Sequence, residues 1–275
     1  MKVAIVGCGY IGTRVAENLR TKPNYTVTAT TTTVLRVSEL QGVAHRVAVL
    51  QGNDRDAVAA VLQGQDAVIL CVGARNPNTY RESYLETAKT LVSVLKEIPT
   101  VKQLIYTGTY SVYGDRQGKL VNEDSSVSPT NTNGEILAET EQVLLAASSP
   151  NLRVCIMRLG GIYGPGRELV KIFRSWAGTT RPGTGEDATN WVHADDVVGG
   201  LIFVLENYLQ GIYNLVGDVS LSSRELLDRV FENHNLPRVL WDKSVPSTRP
   251  YNAKVSNQKI KDAGYQFIHP EIREF

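Results

Sequence analysis

The stretch Val3-Ala4-Ile5-Val6-Gly7-Cys8-Gly9-Tyr10-Ile11-Gly12 decides the fold. Its first four residues are apolar without a break, as expected of a strand covered on both faces of a parallel sheet. A complete G-x-G-x-x-G follows, and a helical pattern then runs from Tyr10 to about Arg20 and stops before Pro23. Each glycine of such a loop has a mechanical task. Gly7 permits the tight turn, Gly9 lets a phosphate approach the backbone, and Gly12 lets the helix pack close to the strand. The free N–H groups and dipole of the helix then face an anion. Alone the pattern is weak, so its flanks carry the weight.

Working outward, short β-branched runs alternate with helical periodicity, the mark of βαβ units. Strands are expected at residues 25–31, 43–50, 66–71, 103–107 and 153–159. Helices are expected at 54–64, opened by Asp54 and Asp56, at 79–97, closed by Pro99, and at 135–147. Beyond Gly161 glycine and proline accumulate, as in Gly164-Pro165-Gly166 and Arg181-Pro182-Gly183. A helix near 195–206, a strand at 212–215 and a helix capped at Ser222-Ser223 follow. The fold class read from this is α/β, a doubly wound parallel Rossmann sheet with a small C-terminal substrate lobe. The dinucleotide-binding domain takes residues 1–162 plus 189–216, and the substrate lobe takes 163–188 and 217–275.

Charge excludes some partners. Twenty-nine basic residues face 28 acidic ones with no basic tract, so neither nucleic acid nor an anionic membrane is expected. Cys8, Cys71 and Cys155 sit in or beside apolar runs without metal or redox spacing and read as reduced core thiols. The apolar run after Lys2 is too short for a signal peptide and no stretch approaches membrane-spanning length, so a cytoplasmic location is expected. His45, His234 and His269 are scattered, and no metal site is expected.

The loop residues Gly7, Cys8, Gly9, Tyr10, Ile11 and Gly12 are thus expected to bind a nicotinamide dinucleotide. A carboxylate about twenty positions on would favour NAD by holding the adenosine 2′-hydroxyl. None occurs before Glu39. Thr31 and Thr32 can donate to a 2′-phosphate and Arg36 is near, so NADP is preferred over NAD. The plain alternative is that the threonine run is merely good strand chemistry.

Five segments together resemble the extended short-chain dehydrogenase/reductases, the NAD-dependent epimerase/dehydratase group. They are the glycine loop; Tyr106 to Asp115 (YTGTYSVYGD); Arg158 to Gly166 (RLGGIYGPG); Trp191 to Val197 (WVHADDV); and Gly211 to Leu215 (GIYNL). The resemblance implies a seven-stranded sheet and oxidoreductase or epimerase-like chemistry on a small-molecule substrate. It implies that Val72, Gly73 and Ala74 pass the cofactor ribose and phosphate, and that Asn53 or Asp54 reads the adenine. Thr107 also borders the cofactor, while Leu159 and Gly160 border the nicotinamide. Thr109 is the match to the family's substrate-binding hydroxyl, with Tyr163 and Arg249 on the substrate side. Arg158 and Arg181 are weaker candidates for an anionic substrate, and His193 reads as an anchor of the lobe rather than a base. The helices at 79–97 and 134–148 match those that pair across homodimers in related proteins, which leaves a homodimer open.

One departure outweighs these matches. The family's tyrosine and the lysine four residues later fall here on Asn133 and Leu137, and none of the 12 tyrosines has a lysine four places on. Three readings follow. The first retains hydride chemistry with another acid (Tyr110, Tyr113 or Asp115) while Thr109 and Asn133 orient substrate. In the second the chain binds NADP without turnover and acts as a sensor or regulator. The third is a cofactor-assisted, non-redox isomerase or lyase.

Overall fold

The computed structural model describes residues 1–273. A seven-stranded, all-parallel sheet forms its centre. The elements around it are β1 (Lys2–Val6), α1 (Tyr10–Arg20), β2 (Thr26–Thr31), β3 (Arg46–Val49), α2 (Arg55–Leu62), β4 (Ala67–Leu70) and α3 (Thr87–Leu95). There follow β5 (Gln103–Thr109), α4 (Thr132–Leu145), β6 (Arg153–Leu159), α5 (Ala194–Glu206), β7 (Gly211–Leu215) and α6 (Ser223–Asn233). The strand order is β7-β6-β5-β4-β1-β2-β3. It reverses at β1, whose Val3 pairs with Val27 of β2 on one side and Ala67 of β4 on the other. An open α/β sheet places its ligand crevice at such a reversal, beyond the carboxyl ends of the strands.

The chain divides into two compact units, one of Met1–Gly108, Glu135–Met157 and Val198–Ile212, the other of Thr109–Gly134, Arg158–Val197 and residues from 213 onward. In the first unit, Val68 and Leu70 of β4, Leu104 of β5, Leu91 and Val94 of α3 and Ile156 of β6 form one buried cluster. Strands buried on both faces need such continuous apolar runs. The second unit has two smaller cores, one around Leu226, Leu227, Val230 and Phe231 of α6, the other around Tyr110, Tyr113, Val121 and Ala253. The first turn of α6 is closed by a reciprocal cap, in which Ser222 Oγ accepts from Glu225 N–H and the Glu225 carboxylate accepts from Ser222 N–H.

Beyond Gly161 short strands such as Gly161–Tyr163 and Trp191–His193 pair where none was expected, and two further stretches differ from the sequence expectation. The helix expected over 79–97 is a 3₁₀ turn at Pro77–Thr79, a π-helical turn at Arg81–Glu86, and only then α3. The Thr87 hydroxyl donates back to the Glu82 carbonyl at 3.2 Å, a local bond that competes with α-helical pairing. The irregular stretch after β5 holds a strand, Asp115–Val121, paired in parallel with Asn252–Val255. Its polar composition and the left-handed Gln117 and Gly118 hide it from any periodicity.

Candidate functional site

In the first unit the carboxyl ends of β1, β2 and β4 open on a cleft of about 610 Å³. The glycine loop forms its floor. Gly7 has φ +94°, and a Cβ there would lie 2.8 Å from the Cys71 carbonyl oxygen, so backbone geometry alone demands glycine. A Cβ at Gly12 would lie 2.4 Å from the Gly7 carbonyl oxygen, so α1 could not approach the strand so closely with a side chain there. Gly9 is different. It has φ −84°, which any residue adopts, and a Cβ there would meet nothing within 4 Å. Gly73 likewise has open space where a side chain would stand. Both line the cleft. A side chain at either position would stand in open space, so their bareness leaves backbone uncovered in the cleft.

Of the residues singled out from sequence, Gly7, Cys8, Gly9, Tyr10, Thr31, Thr32, Arg36, Asn53, Val72 and Gly73 line this cleft. Arg36 reaches across it, donating to the Cys8 carbonyl and, at 3.3 Å, to the Thr13 hydroxyl, while Glu39 holds it through a pair of hydrogen bonds. That pairing keeps the Glu39 carboxyl below its ordinary range. Arg75, which sequence reasoning passed over, donates to the hydroxyls of both Thr32 and Thr33 at 2.9 Å and also lines the cleft. Two guanidinium groups therefore stand at the end of β2 where no carboxylate had been found in the sequence.

Other singled-out residues do different work. Ile11 is buried, and Gly12 packs against Gly7. Asp54 caps α2 by accepting from Ala57 N–H, and the Thr107 hydroxyl donates to the Leu70 carbonyl. Ala74 does not line the cleft. The Cys8 thiol is buried and pushed up to about 11, chiefly by desolvation, so it is a neutral thiol at physiological pH.

The second unit holds the remaining candidates. Thr109 Oγ1 accepts from Ser111 N–H at 3.2 Å, capping the short turn of Tyr110–Tyr113. Tyr110 is buried, and its hydroxyl accepts from the Arg249 guanidinium at 2.9 Å. Two residues singled out separately, one for catalysis and one for substrate, thus form one pair. Burial pushes the Tyr110 phenol above its ordinary value, while Arg249 and Asn190 pull the other way. Tyr113 donates to Asn214 at 2.8 Å beneath the Arg158 guanidinium, so both are packed into the core. Asp115 accepts from Gln117 N–H. Asn133 is half-buried in the first turn of α4, whose start is closed by Asn131 accepting from Gly134 N–H. Leu137, one turn on, is buried. Gly160 donates to the Leu215 carbonyl, Leu159 is buried, and Tyr163 packs edge-on against the His193 ring.

His269, scattered in sequence, stacks on His193 at 3.8 Å, and the Asp195 carboxylate lies 3.4 Å from a nitrogen of each. His193 Nδ1 already accepts from Asp195 N–H. A second cavity, of about 360 Å³, has aromatic walls and includes Arg181 and Arg249 in its lining. Among the described residues no helix is long and apolar enough to cross a membrane.

Residues 3–216 match the model of the NAD dependent epimerase/dehydratase family. The chain belongs to that family. Protein YeeZ of Escherichia coli K12 is 35% identical over 225 residues, 78% of this chain and 77% of that protein. Epimerase family protein ML0860 of Mycobacterium leprae is 26% identical, covering 99% of this chain and 93% of its own length. The fold of dTDP-glucose 4,6-dehydratase DesIV from Streptomyces venezuelae, solved with NAD and TYD bound, superposes with a TM-score of 0.79 at 21% identity, over 97% of this chain and 92% of that one. That of UDP-glucuronic acid 4-epimerase from Bacillus cereus, in complex with UDP-glucuronic acid and NAD, gives 0.78 at 19% identity over 95% and 92%.

Proposed function

We propose that the chain is an NAD(P)-dependent oxidoreductase of epimerase/dehydratase type, with NADP preferred. The observation that carries this is the pair of bare glycines, Gly9 and Gly73. Neither has a left-handed φ and neither would clash with a Cβ, yet both face the same cleft. A backbone cleared of side chains at a helix N-terminus fits a pyrophosphate, whose oxygens the free N–H groups of α1 receive. Arg36 and Arg75 beside Thr31 and Thr32 supply the donors that a 2′-phosphate takes. The structural relatives solved with NAD support a nicotinamide dinucleotide, and these cationic groups favour the phosphorylated form.

When bound, the cofactor supplies hydride acceptance and donation at its nicotinamide ring. The chain's own part is proton handling and orientation. Tyr110 replaces the missing tyrosine of α4 and Arg249 takes the place of the missing lysine, holding a positive charge on the phenol oxygen as the hydroxyl proton is exchanged. Because burial holds the phenol above its ordinary value, Tyr110 is protonated at neutral pH and works first as an acid. Thr109 and Asn133 orient the substrate, which Arg249 and Tyr163 help to hold, and Leu159 and Gly160 flank the nicotinamide. Asn53 completes the adenosine side, while Ala74, outside the cleft, has no part in it. The small-molecule substrate and the homodimer implied by the resemblance belong to the same reading, as does a cytoplasmic location.

Tyr110→Phe tests the chemical half. Turnover of reduced nicotinamide with a panel of sugars, ketones and acids should fall by about a hundredfold or more, with cofactor affinity unchanged. Unchanged turnover removes Tyr110 from the mechanism. A second reading, a redox-silent NADP-binding regulator, is favoured by Leu137, a buried apolar residue where the family carries its lysine. Cofactor binding without turnover of any panel member supports it.

A further inference from the structure

The second unit's cavity, of about 360 Å³, gathers all three tryptophans of the chain, Trp176, Trp191 and Trp241, together with Phe173 and Tyr251. The rings meet edge-on, Phe173 lying 5.3 Å from Trp176 and 5.6 Å from Trp191. Such walls favour a flat ring, which gains offset or edge contacts that a saturated ring cannot make.

The polar groups of the lining are unbalanced. The indole N–H groups of Trp191 and Trp241 have no acceptor among the described residues but are out of reach of water, and so of an occupant, which leaves donation into the cavity to its arginines. The Arg181 guanidinium sits 3.9 Å from the centre of the Trp176 ring, and its side chain makes no hydrogen bond among the described residues. Arg249 is fixed by the hydroxyls of Ser223 and Tyr110 at 3.0 and 2.9 Å, which use two of its five N–H donors. Acceptors are scarce by comparison. Asp187, the one carboxylate of the lining, already accepts from Ser247 through one oxygen, and the Ser223 hydroxyl already accepts from Arg249. What remains unspent is donor capacity and positive charge.

We infer that this cavity binds a flat aromatic ring carrying an anionic group, the ring held between the tryptophan faces and the anion received by Arg249 and Arg181. A carboxylate and a phosphate both meet a guanidinium in this way. As a statement about substrate the inference rests on the function proposed above. As a statement about binding it stands on this cavity alone.

The test uses the full chain without nicotinamide. Because every tryptophan lines the cavity, intrinsic fluorescence reports on it directly, and calorimetry gives a second signal. The probes are 2-naphthoate, 1-naphthyl phosphate, the neutral 2-naphthamide and the saturated cyclohexanecarboxylate. The expected result is saturable binding of the two aromatic anions, with the amide and the saturated acid each weaker by about tenfold or more. Whichever of naphthoate and naphthyl phosphate binds tighter identifies the anion. Arg181→Gln and Arg249→Gln should each weaken aromatic anions without weakening the amide, and Trp241→Phe should weaken all ring-bearing probes. Amide and carboxylate binding equally, or cyclohexanecarboxylate matching naphthoate, overturns the inference. NADPH titrated into the same samples separates the two readings, since lost naphthoate binding with intact NADPH binding sinks only this one. The Arg181 guanidinium makes no hydrogen bond among the described residues, so a folding failure of Arg249→Gln leaves the Arg181 arm of the test in place.

Discussion

The glycine loop of residues 7–12 and the start of α4 at residues 132–137 treat the family pattern in opposite ways. In the loop the constraint is set by backbone, and the sequence obeys it at every glycine. Gly7 and Gly12 are held by contacts of 2.8 and 2.4 Å that a Cβ would create, and Gly9 is bare toward the cleft. At the helix start the resemblance implies a chemical requirement, and the positions matched to it hold Asn133 and Leu137. Asn133 and Leu137 fill the helix, its cap still closes on Asn131, and the fold loses nothing. The contrast supports the proposed reading, in which the chain keeps a dinucleotide and takes its acid from elsewhere.

Gly12→Val should show the largest effect. The added side chain must displace the Gly7 carbonyl or the whole of α1, which should cost about 3 kcal/mol or more. Chemical denaturation measures it, and a loss below about 1 kcal/mol would mean that the loop is far looser than its contacts imply. Leu137→Lys comes next. If the helix start has been remodelled for packing, a buried ammonium there should destabilise by about 2 kcal/mol or more. A neutral effect would show a lysine site still formed, and would break the comparison.

Arg36→Gln sharpens the loop side. It should weaken NADPH by about tenfold, roughly 1.4 kcal/mol, and NADH much less. Equal losses for both would remove the 2′-phosphate from the account. Asn133→Ala should be smallest in stability, within about 0.5 kcal/mol, because the residue is half-buried and closes no cap. A larger loss would make it a structural residue rather than one free to serve a substrate.

The sheet was legible in sequence because β1 after Lys2 and β4 are uninterrupted apolar runs between turn residues, as in Ala67–Leu70, and β2 is a β-branched run. Helix α1 was legible because Gly9 and Pro23 bracket it. The strand at Asp115–Val121 was not, since its partner Asn252–Val255 lies far along the chain and its own residues are polar. The same distance hid much of the site. Tyr110 and Arg249 were each picked out, but the bond between them spans 139 positions. His193 and His269 meet only through the fold, and Arg75 turns toward Thr32 and Thr33 after a strand whose end shows no charge pattern. Local periodicity records what each segment does to itself. It is silent about which loops the sheet brings together.

The most direct test of the central claim is titration of Gly9→Ala with NADPH beside the wild-type chain, with stability measured on the same samples. A Cβ at this position meets open space within 4 Å, so the fold should hold to within about 0.5 kcal/mol. The account predicts that NADPH affinity falls by about a hundredfold or more all the same, because the methyl group stands where the pyrophosphate meets the backbone. Unchanged affinity in a stable variant would contradict it, and would show that the cleft above the glycine loop does not seat a dinucleotide.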